Sequence, residues 1–230
     1  MSSANPQAIS ISLENAQSVS GLLQVPPKAR AVYVLAHGAG AGMTHAFMSA
    51  IADGLAERGV ATLRYQFLFM EQGSRRPDPP KLAHAAVRAA VAEAAQRLPG
   101  IPLFAGGKSF GGRMTSQAQA AAPLPGVRGL VFLGFPLHPP KKPSNERAKH
   151  LFGITVPLLF LQGTRDELAD LLLLEPVCQE LGARSTLKLF QEADHSFHVP
   201  ARSGKKDPEI RVELLDALVR WLDQVMASAG

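Results

Sequence analysis

The chain has one cysteine, Cys178, so no internal disulfide can form. No group of histidines and cysteines has zinc-site spacing, and the sequence reads as that of a cytoplasmic protein without a metal or cofactor. No run approaches the roughly 18 apolar residues of a membrane-spanning helix. The opening MSSANPQAISISLENAQ lacks the basic segment followed by an apolar stretch that a secretory signal needs, so no targeting signal and no membrane partner are expected. Lysine and arginine exceed aspartate and glutamate by 24 to 19, for a formal net charge of +5. The cationic pairs Arg75-Arg76, Lys141-Lys142 and Lys205-Lys206 are scattered through proline- or glycine-rich stretches without interleaved aromatics. They read as solvated loops, and no nucleic-acid partner is expected.

What is present is a globular composition, 46% hydrophobic and 19% charged over 230 residues, enough for one domain spanning 1–230 with a full core. Two alternating runs, AISISL and SVSGLLQV, predict an antiparallel edge hairpin. Short β-branched or leucine-rich runs then alternate with longer alanine- and leucine-rich segments, the pattern of helices on both faces of a mostly parallel sheet. AVYVLAHG predicts a buried strand, followed by a helix with Phe47, Ile51 and Leu55 on one face and a stop at Gly59. GVATLRYQF is the next strand. Asp78-Pro79 reads as N-cap and first-turn proline of a helix ended by Pro99-Gly100. PLFAGGKS, GLVFLGFPL, VPLLFLQG and STLKLF predict further strands, RMTSQAQAAA a short helix, and Asp207-Pro208 the start of a closing helix burying Leu214, Leu218, Trp221 or Leu222, and Val225.

GGKSFGG, residues 106–112, admits two chemistries. As the tail of a phosphate-binding loop, Gly107-Lys108-Ser109 requires a glycine at position 102, where Pro102 stands at the start of a strand. As G-x-S-x-G it presents Ser109 on a sharp strand-to-helix turn, and both the strand and the helical segment are there. A serine hydroxyl is too weakly acidic to attack an acyl carbon alone; it needs a histidine base oriented by a carboxylate, in the chain order Ser, acid, His on loops after later strands. PLLFLQGTRDELAD puts Asp166 after one such strand, and STLKLFQEADHSFHVP puts His195 after the last. Glu167, Asp170 and His198 are the neighbouring alternatives, with the first two reading as first-turn helix residues. The oxyanion donors are expected at the backbone N–H groups of Phe110 and Ala39, with Gly40 as the alternative. His37 reads as a structural strand-end residue, and Lys108 as packed beside the turn or paired with a carboxylate. Glu71, Arg75 and Arg76 lie in FMEQGSRRPDPP, a loop expected on the same face as Ser109, where they could contact substrate.

LAHGAGAG, YQFLFMEQGSRRPDPP, GGKSFGGRM, FLGFPLHPPKKP, LQGTRDELAD and DHSFHVP together resemble a small, lidless, dienelactone-hydrolase-like family of α/β-hydrolases. It includes bacterial hydrolase-like proteins, the testis-expressed protein and a domain in a subunit of an animal chromatin-acetylation complex. The likeness runs from about Ala31 to Pro200. It implies an α/β-hydrolase fold with Ser109, Asp166 and His195 as the triad. Dienelactone hydrolase proper uses a cysteine nucleophile, whereas position 109 is serine. About twenty residues separate GLVFLGFPL from VPLLFLQG, where larger relatives insert a helical lid, leaving room for a short helix near Asn145 to Leu151. The expected partner is a small ester-like molecule; a noncatalytic interaction module on the same scaffold is the other reading.

Overall fold

The computed structural model describes residues 5–14 and 16–228. The predicted hairpin is β1 (Gln7–Ser12) and β2 (Ser18–Gln24), followed by β3 (Ala31–Ala36), α1 (Ala46–Glu57), β4 (Val60–Tyr65), α2 (Leu68–Glu71) and α3 (Pro80–Arg97). Then come β5 (Leu103–Lys108), α4 (Phe110–Ala121), β6 (Val127–Leu133), β7 (Leu158–Gly163), α5 (Leu171–Leu181), β8 (Ser185–Phe190) and α6 (Asp207–Ser228). The eight strands form one sheet in the order β1-β2-β4-β3-β5-β6-β7-β8. β1, β2 and β4 pair antiparallel; every other pairing is parallel.

All residues of β3 and β4 are buried, which is why these strands read as unbroken apolar runs rather than alternating ones. One face of the sheet carries a core that includes Val87 of α3, Met114 of α4 and Leu174 of α5. The opposite face is covered by α1 and α6 through Ile51, Leu55, Leu214, Leu218, Trp221 and Leu222. Both Trp221 and Leu222 are buried, while Val225 is half-buried against the same cluster. This two-sided cover brings the carboxyl ends of β3, β5, β7 and β8 to one rim, where the loops can meet.

Three local expectations change. Asp78 does not cap α3: Pro79 occupies the N-cap, and the Asp78 carboxylate instead accepts the Phe69 N–H at 3.1 Å. The first part of the predicted 70s loop is α2, one helical turn. α4 begins at Phe110, three residues before the predicted segment, so the helix starts directly after Ser109. Between β6 and β7 only a 3₁₀ segment, Glu146–Gly153, intervenes, and no lid domain is built.

The turn at Ser109 depends on close backbone crossing. Gly107 has φ +148°, and a Cβ there would lie 2.2 Å from the Ala36 carbonyl oxygen of β3. Gly111 meets the same strand from the other side of the turn, its hypothetical Cβ 2.5 Å from the His37 carbonyl oxygen. Backbone cannot yield as a flexible side chain can, so Gly107→Ala is expected to cost more than ~4 kcal/mol. Chemical denaturation should show this as a lost or strongly shifted transition; a midpoint matching wild type would contradict the crossing.

Candidate active site

Ser109 has φ 50° and ψ −115°, a strained conformation for a residue with a side chain, and its N–H is held by the Leu133 carbonyl at 3.2 Å. The strain turns the hydroxyl off the end of β5 toward the neighbouring loops. His195 Nε2 lies 2.8 Å from Ser109 Oγ, and His195 Nδ1 lies 2.7 Å from Asp166 Oδ2. The three residues come from the loops after β5, β7 and β8. With the Asp166 side chain fully buried, its carboxylate fixes the proton on Nδ1 and leaves the Nε2 lone pair facing the hydroxyl.

Asp166 is itself firmly placed. Its carboxylate accepts the Leu168 N–H at 2.8 Å and the Gln162 amide at 2.5 Å, while Gln162 Oε1 accepts the Phe135 N–H at 2.9 Å. Gln162 was missed by the sequence reading; the available signal was one polar residue in the otherwise apolar strand β7, now seen to be completely buried. The neighbouring alternatives go elsewhere. Asp170 caps α5 by accepting the Leu172 N–H, Glu167 is exposed, and His198 turns outward to Asp207 at 2.7 Å.

His37 is buried at the end of β3. Its Nδ1–H donates to the Gly38 carbonyl at 2.7 Å and its Nε2 accepts the Phe67 N–H at 3.0 Å, an arrangement that requires the neutral ring. Burial also lowers its pKa. The ring thereby ties the glycine-rich loop to the chain leaving β4. That loop brings Ala39 to the boundary of two cavities that both reach Ser109, one of about 460 Å³ lined also by Gly40, Phe47, Met48 and His195, the other of about 430 Å³ lined also by Phe110, Arg113, Pro136 and Leu168. Phe110 is the first residue of α4, where N–H groups have no intrahelical acceptor.

Glu71, Arg75 and Arg76 line neither cavity. The Glu71 carboxylate reaches β2, accepting the Ser20 N–H at 3.1 Å and hydroxyl at 2.7 Å, so it sits at the β2–β4 side of the rim, three strands from β5 and Ser109. Both arginines are exposed. The sequence placed this loop on the correct face but missed the turn of α2 at its start.

Lys108 has a more specific place than the sequence suggested. Its ammonium donates to the main-chain carbonyl of His195 and lies 5.5 Å from the centroid of the Phe197 ring. Burial pushes its pKa down to about 8, against the opposing pull of the Asp166 and Asp194 carboxylates. The residue before the serine therefore holds the loop that carries the histidine.

A nucleophile-bearing turn after a central parallel strand, with an acid and a histidine contributed by later strand ends, defines the alpha/beta hydrolases. The chain belongs to the alpha/beta hydrolase domain family, whose model matches residues 29–223, and its broad class is that of a hydrolase. Its structure is similar to that of a dienelactone hydrolase from Anabaena variabilis, with 20% identity, a TM-score of 0.78 and coverage of 97% of this chain and 99% of that one. It is also similar to an alpha-beta serine hydrolase homologue from Coxiella burnetii, with 18% identity, a TM-score of 0.76 and coverage of 96% and 100%. A lidless a/b serine hydrolase from Xanthomonas campestris aligns with 20% identity, a TM-score of 0.72 and coverage of 94% and 95%. At these identities the likeness is one of fold. No helix among the described residues is long and apolar enough to cross a membrane.

The Lys108 environment has a measurable consequence. Its pKa is about 8 when folded against an ordinary value of 10.5, so between these pH values the unfolded chain binds more protons and folding stability rises with pH. Below about 8 both forms are protonated and the burial penalty is fully present. The melting-temperature difference between wild type and Lys108→Met should therefore shift in favour of wild type from pH 8 to 10.5. A pH-independent difference over that interval would count against the buried ammonium.

Proposed function

We propose that the protein is a serine carboxylesterase-like hydrolase that cleaves a small ester, thioester or lactone through an acyl-enzyme. The observation that carries this reading is the continuous relay from the buried Asp166 carboxylate through His195 to Ser109, with contacts of 2.7 and 2.8 Å. Ser109 Oγ attacks the carbonyl carbon while His195 Nε2 takes its proton. The Phe110 and Ala39 N–H groups receive the negative charge developing on the carbonyl oxygen. Collapse of the tetrahedral intermediate expels the leaving group, which takes the proton from His195. Water, activated by the same imidazole, then attacks the acyl-enzyme and releases the acid, restoring Ser109. Asp166 stays ionised throughout, keeping the tautomer and stabilising the imidazolium.

The reading is supported by how firmly these groups are held: the turn by backbone crossing, Asp166 by Gln162 and Leu168, and the His195 loop by Lys108. Such preorganisation reduces the rearrangement required at the moment of reaction. The short segment between β6 and β7 leaves the site uncovered, which favours small soluble esters over long acyl chains.

Ser109→Ala is expected to lower ester hydrolysis by roughly 10³-fold or more and to abolish labelling by a fluorophosphonate. Equal labelling of wild type and variant would remove Ser109 from the nucleophile's role. Across a p-nitrophenyl ester series, acetate and butyrate should be turned over faster than long-chain esters. A maximum at long chains would contradict an uncovered site.

A further inference from the structure

We propose that the cavity on the Phe110 side of Ser109 receives an acyl group bearing a distal carboxylate, and that Arg113 and Arg147 determine this specificity. The inference rests on the ester-hydrolase reading above and names its substrate class, esters of dicarboxylic acids. Two cavities open at Ser109, and His195 lines only the one that also contains Phe47 and Met48. The imidazolium has to protonate the departing oxygen, so the leaving group faces that cavity. The acyl chain is then directed into the other, along Phe110 and Leu168.

An aliphatic acid would need only an apolar wall there. Instead, two guanidinium-bearing residues line it. Arg113 stands on the first turn of α4 with its Cζ 6.0 Å from the Phe110 ring centroid, and its buried Nε has no hydrogen-bond partner. Arg147 comes from the 3₁₀ segment and reaches the Pro136 carbonyl at 3.4 Å. Among the described residues, neither arginine forms an ion pair.

No carboxylate among the described residues pairs with either arginine of this wall. Burial and then the charge of Arg147 lower the Arg113 pKa, while burial alone lowers that of Arg147. His150 gives no relief: it lies beside Ser116 at 2.8 Å and is pushed down to about 4 by burial and then by the charge of Arg113. The cavity's one lining carboxylate, Asp78, is engaged with the Phe69 N–H, and burial raises its pKa. Two partly desolvated cations without a counter-ion are costly in a free site. A substrate carboxylate would offset that cost and supply the planar acceptor that guanidinium groups bind in paired hydrogen bonds.

The test compares three esters by acid release at constant pH: monomethyl adipate, with its carboxylate on the acyl side; methyl hexanoate, its neutral counterpart; and 5-acetoxypentanoate, with the carboxylate on the leaving side. Wild type should favour monomethyl adipate over methyl hexanoate by about tenfold or more in kcat/KM. Arg113→Met and Arg147→Met should each reduce that ratio to below about threefold. Equal rates for the two esters in wild type, an undiminished ratio in both variants, or the same preference for 5-acetoxypentanoate would overturn the assignment.

Binding separates this inference from the hydrolase reading. Adipate should bind Ser109→Ala in calorimetry and lose affinity when Arg113→Met is added, with thermal melts verifying that each variant is folded. Arginine-dependent adipate binding without turnover of any ester would retain the pocket and defeat the hydrolase reading. Ester turnover with no charge preference and no adipate binding would defeat the pocket alone, and absence of both would defeat both.

Discussion

The constraint on which the site depends is the approach of β5 to β3 at their carboxyl ends. There is no room for a side chain at Gly107 or Gly111, and this closeness leaves Ser109 with a positive φ. A strained residue persists only when its surroundings determine it more strongly than its own preference does. Here the surroundings are the backbone of β3 on one side and the Leu133 carbonyl at the end of β6 on the other. The same approach places the start of α4 beside the glycine-rich loop, where Ala39 and Phe110 border the hydroxyl. Core packing and the proposed chemistry therefore share one geometric requirement.

Around that turn, polar groups are buried in linked sets. Gln162 connects the Phe135 backbone to Asp166, Asp166 connects to His195, and Lys108 holds the His195 carbonyl. Each buried group satisfies another, so the loops after β5, β6, β7 and β8 share a common position rather than several independent ones. Arg113 and Arg147 differ from this pattern because, among the described residues, neither forms an ion pair with a carboxylate. Under the proposed specificity, that contrast separates groups that organise the rim from groups that would meet a substrate carboxylate.

Much of the fold was readable because its signals are local. Buried parallel strands appear as runs such as AVYVLA and LLFLQG, and glycines and prolines mark their ends. Pro102 excluded a phosphate loop for a local reason as well; it begins the β5 region and its carbonyl accepts the Val32 N–H. Ser109, Asp166 and His195 were legible because each follows a recognisable strand in the expected order. Contacts made across the chain were not legible. Nothing near Glu71 in sequence reveals Ser20 as its partner, 51 residues away, and nothing near Lys108 reveals the His195 carbonyl, 87 residues away. Asp78 shows the same limit at short range: the composition of a cap was present, but the carboxylate had a different donor to serve.

The strand order also sets when the site can exist. Its serine lies on central β5, its acid follows β7, and its histidine follows β8 at the sheet's edge. During synthesis, a chain that has completed β5 lacks both the Leu133 carbonyl of β6 that holds the Ser109 N–H and the His195 ring, and one that has completed β7 still lacks the imidazole. For the proposed reaction, the complete relay of Ser109, His195 and Asp166 therefore assembles only with the last strand and its loop, after the rest of the sheet has been made.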